Sequence, residues 1–157
     1  MAINAQGSSL FFIDPAAPTA VIEVGCIRSF DGLSANRDQN DVTCLRDLAR
    51  RFEAGMLNPG AVTFEIHFDP ADASHAKLHE LFVSGTSIEW ALGWADGAVT
   101  IVPTATSGDF TIPTTRTFVT FDGYISDFPM SFPLGGKVTS TLTVQMSGMP
   151  ELHVKTP

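Results

Sequence analysis

AVTFEIHFDPADASHAKLHELFVSGTSIEWALGW, residues 61–94, decides how this chain folds. Val62, Phe64, Ile66 and Phe68 alternate with Ala61, Thr63, Glu65 and His67, the period of two that marks a half-buried strand. Asp69-Pro70 stops that strand and predicts a helix start, with Asp69 as N-cap and Pro70 in the first turn. Asp72 adds negative charge where the helix dipole favours it. Leu78, Leu81 and Phe82 share one helical face, and Ser84-Gly85 supplies a left-handed C-cap. TSIEWALGW then resumes as a strand with Ile88, Trp90, Leu92 and Trp94 on one side. The expected local architecture is one amphipathic helix laid over a sheet.

Outward from this stretch the chain reads as further strands. On the N-terminal side, residues 10–13 and 20–27 predict two strands joined by the turn-rich DPAAPT; the second has no clearly polar face. Residues 29–60 change character: SFDGLSANRDQND is polar and turn-like. In VTCLRDLARRFEAG, Val42, Leu45, Leu48, Ala49 and Phe52 fall near helical spacing, which predicts a short helix with an extended arm as the other reading. So long a connection inside a compact domain points to function or disorder. On the C-terminal side Asp96-Gly97 signals a hairpin returning through AVTIV, SGDFTIPTT reads as a loop, and RTFVTFDGYISDF alternates again. In KVTSTLTVQMSG, Val138, Leu142, Val144 and Met146 face one way and Thr139, Thr141, Thr143 and Gln145 the other. Seven or eight strands, a sandwich or barrel-like sheet, and a loosely ordered tail from about residue 150 are expected.

The 157 residues fit one domain with a genuine core, and a 44% hydrophobic content with twelve Phe excludes a disordered chain. A net charge of -8 with nine Lys and Arg argues against gripping nucleic acid by its phosphates. It leaves room for nucleic acid to pass without sticking. MAINAQGSSLFFIDP has neither the basic nor the long apolar region of a signal peptide, and no apolar run approaches a membrane helix. Cys26 and Cys44 are expected as free thiols.

Few residues suggest chemistry. His75 and His79 lie four apart on the predicted helix, a spacing that can present two imidazoles to zinc, with Asp72 one turn earlier. Without a complete ligand set they read as a solvated helix face, and neither metal nor cofactor is expected. Glu65 and Glu89 sit on adjacent-looking strands as a conceivable carboxylate pair, with solvated sheet positions the plainer reading. No GxSxG, phosphate-cradling loop or CxxC occurs, so no enzyme is expected. Trp90, Trp94, Phe118, Phe121 and Tyr124 suggest a sugar-binding platform, against which core burial is the better fit.

The order of features nevertheless resembles a family. An early hairpin precedes D-V-T-x-L-x-D…R-x-F-x-x-G-M-x-x-P-G, then a strand, DPAD-x-x-H-x-x-L-H-x-L, I-E-W, and a Thr-rich strand ending V-Q-M-S-G-M-P. Over residues 5–150 this resembles the major tail tube proteins of long-tailed, non-contractile bacteriophages. The resemblance implies a mainly β, sandwich or barrel-like fold with one flanking helix and a long inter-ring arm. It also implies a structural virion protein assembled as stacked hexameric rings around a channel for phage DNA. Tail-tip or initiator, tape measure and terminator proteins are the implied partners, the virion tail the implied location, and the host cytoplasm the place of assembly. The arm corresponds to residues 30–60, where Arg37, Arg46, Arg50, Arg51 and Phe52 would meet a carboxylate-rich neighbour. Thr139, Thr141, Thr143 and Gln145, or alternatively Thr63 and Glu65, would face the lumen. A tube subunit of a contractile or type VI secretion-like system and a carbohydrate-binding module are the competing readings.

Overall fold

The alternation in AVTFEIH produces the strand it predicts. In the computed structural model, which describes residues 2–157, Val62, Phe64 and Ile66 are buried and the residues between them half-buried. In chain order the strands are β1 (Ser9–Ile13), β2 (Val21–Glu23), β3 (Ile27–Asp31), β4 (Ala35–Asp41), β5 (Phe52–Pro59) and β6 (Ala61–His67). The helix α1 (Ala73–Ser84) follows. Then come β7 (Ile88–Gly93), β8 (Thr104–Thr106), β9 (Asp109–Thr111), β10 (Phe118–Asp127), β11 (Met130–Ser131) and β12 (Thr139–His153).

One antiparallel sheet, ordered β2-β1-β7-β10-β12-β6-β3 with β11 on β12, organises the chain. It curls over itself. Two strands separate β7 from β6, yet the rings of Trp90 and Phe64 lie 6.0 Å apart, and Phe30 of β3 reaches within 6.5 Å of Phe121 of β10. The curl encloses a core in which Leu10, Phe12, Phe64, Trp90, Leu142 and Val144 pack with Leu78 and Leu81 of α1. Trp90 satisfies its indole N–H on the carbonyl of Gly123 at 3.1 Å, so its burial leaves no orphaned donor. The two edges of the sheet, β2 and β3, are consecutive in the chain, with residues 24–26 crossing between them. The sheet is thus nearly a barrel.

Its outer surface is dressed in two ways. Over β1, β7 and the start of β10, Phe11, Ala91 and Phe118 form a second small core under Ile101, Phe110 and Ile112. Over β12, β6 and β3 the outer side chains are polar and partly exposed. The long excursion between β7 and β10 therefore covers one half and leaves the other bare.

Several expectations are corrected. The N-cap is Asp72, whose carboxylate accepts from Ser74 N at 2.9 Å; Asp69-Pro70 forms the turn before it, with Asp69 accepting from Ala71 N at 2.9 Å. Gly85 is the left-handed C-cap, as expected (φ 67°). Residues 42–52 form no helix: they make the tip of the β4–β5 hairpin and open β5. Residues 98–102 form no strand, whereas the expected loop after them contains the β8–β9 hairpin, turned at Ser107-Gly108 by two positive φ angles. Residues 20–27 split between β2 and the start of β3. The expected loose tail is strand as far as His153, paired with β10 through Phe118↔His153.

Candidate assembly surfaces

The arm is a two-stranded hairpin that pairs with no other strand among the described residues. Isolated helices as short as the one expected here are marginal in water. Side chains instead claim the backbone at the tip. Asp41 accepts from Thr43 N at 2.9 Å, Asp47 from Cys44 N at 2.8 Å, and Thr43 Oγ1 from Arg51 N at 3.0 Å. Such local bonds are what lets Asp and Thr compete with helix formation. They also hold the Asp41 carboxyl below its usual pKa, chiefly through the Thr43 hydroxyl. The apolar stripe that mimicked a helix has no floor to pack on: Leu45 and Leu48 are fully exposed and Phe52, at the start of β5, is half exposed.

Arg37 lies on β4 with Nη1 3.5 Å from the carbonyl of Gly55, while Arg46, Arg50 and Arg51 stand exposed in the tip. None of the four enters an ion pair among the described residues. The hairpin also carries Asp38, Asp41, Asp47 and Glu53, so it is neutral overall and its positive excess is confined to the tip. That refines the expectation of a cationic arm.

The bare face places Thr139, Thr141, Thr143 and Gln145 of β12 in one row, opposite His67, Glu65, Thr63 and Ala61 of β6. The two alternative candidate rows are therefore one surface. Asp122 and Tyr124 of β10 border it on one side, and on the other Arg28 reaches Glu65 at 3.2 Å. Glu65 and Glu89 are not neighbours, because β10 and β12 lie between their strands. Glu89 is instead directly opposite Asp122. Burial raises the pKa of both carboxyls, and the charges of Asp109 and Glu151 push Asp122 up further.

Two polar residues prove structural: His75, which the sequence marked as half of a solvated histidine pair, and Arg116, which it did not mark. His75, expected at the surface, is fully buried and stacked on Phe68. Its Nδ1 accepts from Asp69 N at 2.9 Å and its Nε2 faces the carbonyl of Gly25 at 2.7 Å, which assigns the proton to Nε2. Both nitrogens are thereby committed to backbone, and neither is left for zinc; His79 is exposed against Phe82 and Phe128. Ser74 Oγ adds a bond to Gly25 N at 3.2 Å, so the start of α1 stitches the link between the two sheet edges. Arg116 is also fully buried, donating to the carbonyls of Trp94, Ile101, Gly7 and Gly93 at 2.6–3.2 Å. Burial lowers its pKa. Its isolation, with no other Lys or Arg between Lys77 and Lys137, was the only available signal for it. Trp90, Phe118 and Phe121 are buried, which removes the sugar platform, and both cysteines are exposed free thiols.

A curled sheet with one bare flank and an unpacked hairpin defines a structural subunit of a larger assembly. The family described as phage tail tube, TTP, lambda-like matches residues 1–156. "Structural protein 3" of Pseudomonas phage PAJU2 is 42% identical over 158 residues, covering 98% of this chain and 94% of that protein. The chain belongs to the phage tail tube family and is a structural protein of the virion tail. Solved structures share the fold at low identity. The SPP1 tail tube has a TM-score of 0.70 at 11% identity, covering 99% of this chain and 81% of that one. The tail of an empty GTA particle, refined with C6 symmetry, has 0.67 at 16%, covering 96% and 98%. A chain from the anti-feeding prophage baseplate has 0.71 at 10%, covering 100% and 98%. No helix among the described residues is long and apolar enough to cross a membrane.

Proposed function

We propose that six copies of this chain close into a ring, that rings stack into the tail tube, and that the bare face of β10, β12, β6 and β3 lines its bore. The six-fold symmetry of the GTA tail, which shares the fold, supports the copy number. The observation that carries the reading is the uneven dressing of the sheet: one half lies under Ile101, Phe110 and Ile112 and the other is left polar. Four strands from each of six copies at about 4.8 Å spacing give a cylinder roughly 37 Å across, widened further by strand tilt, which leaves room for a DNA duplex. Its wall presents hydroxyls and carboxylates, with Arg28 already paired to Glu65, so phosphates sliding past find no cationic clamps. Lysines at Thr141 and Thr143 should slow genome ejection; ejection at the normal rate would reject this face as the lumen.

The arm then reaches the next ring, with Arg46, Arg50 and Arg51 meeting carboxylates of an acidic neighbour and the tip leucines leaving water. The work of the protein is assembly rather than catalysis. A tape measure inside the bore, a tail-tip complex and a terminator are its partners, and assembly takes place in the host cytoplasm. Purified protein should form long hollow tubes in negative stain. Arg50→Glu with Arg51→Glu should abolish them while the monomer stays folded, and normal tubes from that variant would refute the arm's role.

A further inference from the structure

Two apolar features at opposite poles of the strands remain unused by the arm and the bare face. β2 pairs with β1 only over residues 11–13, and beyond its end the seam between β1 and β3 opens into a groove of about 520 Å³. Leu10, Phe30 and Leu92 form a floor continuous with the core, and Ile3, Trp94 and Arg28 stand around it. At the far pole, the connection from β10 to β12 turns through Phe132-Pro133-Leu134, with Phe132 largely and Leu134 fully exposed.

The registers fix this polarity. β7 and β12 are both antiparallel to β10, so they run the same way. The groove lies at the C-terminal end of β7, whereas the turn leads into the N-terminal end of β12. We propose that the turn at residues 132–134 of one copy seats in the seam groove of a second copy in the adjoining ring, a contact that rests on the tube reading. The arm tip also exposes leucines, but the arm joins the C-terminal end of β3 to the N-terminal end of β6, the same pole as the groove. Stacking rings head to tail carries the turn toward the groove and the tip away from it. A knob at one pole and a hole at the other form a heterologous contact that propagates without closing, as a filament requires.

The test compares wild type with Phe132→Asp/Leu134→Asp in negative stain, with circular dichroism checking that both fold. The expected result is long tubes from wild type and at least a tenfold loss of tube mass in the variant. Wild type without tubes overturns the tube reading and this contact with it; full-length tubes from the folded variant overturn the contact alone. A second arm uses Ile3→Cys with Leu134→Cys in a Cys26→Ser, Cys44→Ser background, oxidised within preformed tubes. A disulfide-linked ladder running past six chains is expected. A ladder that stops at six places the contact within a ring and overturns the proposal, as does the absence of cross-links.

Discussion

His75 and the Glu89–Asp122 pair show how single side chains set the limits of this subunit. Replacing His75 with Ala empties a fully buried site and orphans both the Gly25 carbonyl and the Asp69 amide. The cost should be about 2–4 kcal/mol, read as a lower denaturant midpoint of the unassembled protein. Glu89 and Asp122 act with the opposite sign. Burial disfavours the charged form of both, and like charges directly opposite across two strands add to the cost. Because their pKa values are raised in the fold, the penalty is absent below the ordinary carboxylate range and complete once pH has passed the raised values. Glu89→Gln with Asp122→Asn should therefore raise the melting temperature at neutral pH. The gain should vanish on acidification to about pH 3, below the unfolded values; a gain that persists there would exclude ionisation as its cause.

At the level of elements, legibility followed local period. β6, α1 and the first half of β12 were readable because each keeps one buried side and one polar side, and β7 because Ile88 and Trp90 alternate with Glu89 before Ala91 turns its other face into the second small core. The helix start slipped from Asp69 to Asp72 because both carboxylates cap something, one a turn and the other the helix. Asp72→Ala should cost about 1 kcal/mol, measurable by chemical unfolding. The arm misled for a different reason. Val42, Leu45, Leu48 and Phe52 keep helical spacing without a surface to pack on, so the Asp41 and Asp47 side chains decide the local geometry. Most of the hairpin's backbone bonds are internal to it. Deleting residues 43–50 should thus leave the melting temperature of the monomer unchanged and abolish tubes; a large drop in melting temperature would show that the arm supports the body. His75 and Arg116 were illegible because, apart from the nearby Asp69 amide, their partners are backbone groups at residues 7, 25, 93, 94 and 101, distant in sequence or inside loops.

Across the whole molecule, charge is segregated. The hairpin is neutral, so the body carries the entire net charge of -8 and copies repel one another at long range. Tube growth should therefore accelerate as salt rises from about 0.01 M toward 0.15 M, where the screening length falls to roughly 8 Å, and turbidity at fixed protein concentration would record it. Growth that slows instead would place the tip arginines' attraction above the bodies' repulsion. The single curled sheet has one more consequence. Its strands run from pole to pole, so tension along a stack of such subunits pulls β10 and β12 lengthwise past each other. In the proposed tube their hydrogen bonds would be loaded together in shear rather than peeled one by one, which would make the wall a tension member whose stiffness belongs to its secondary structure.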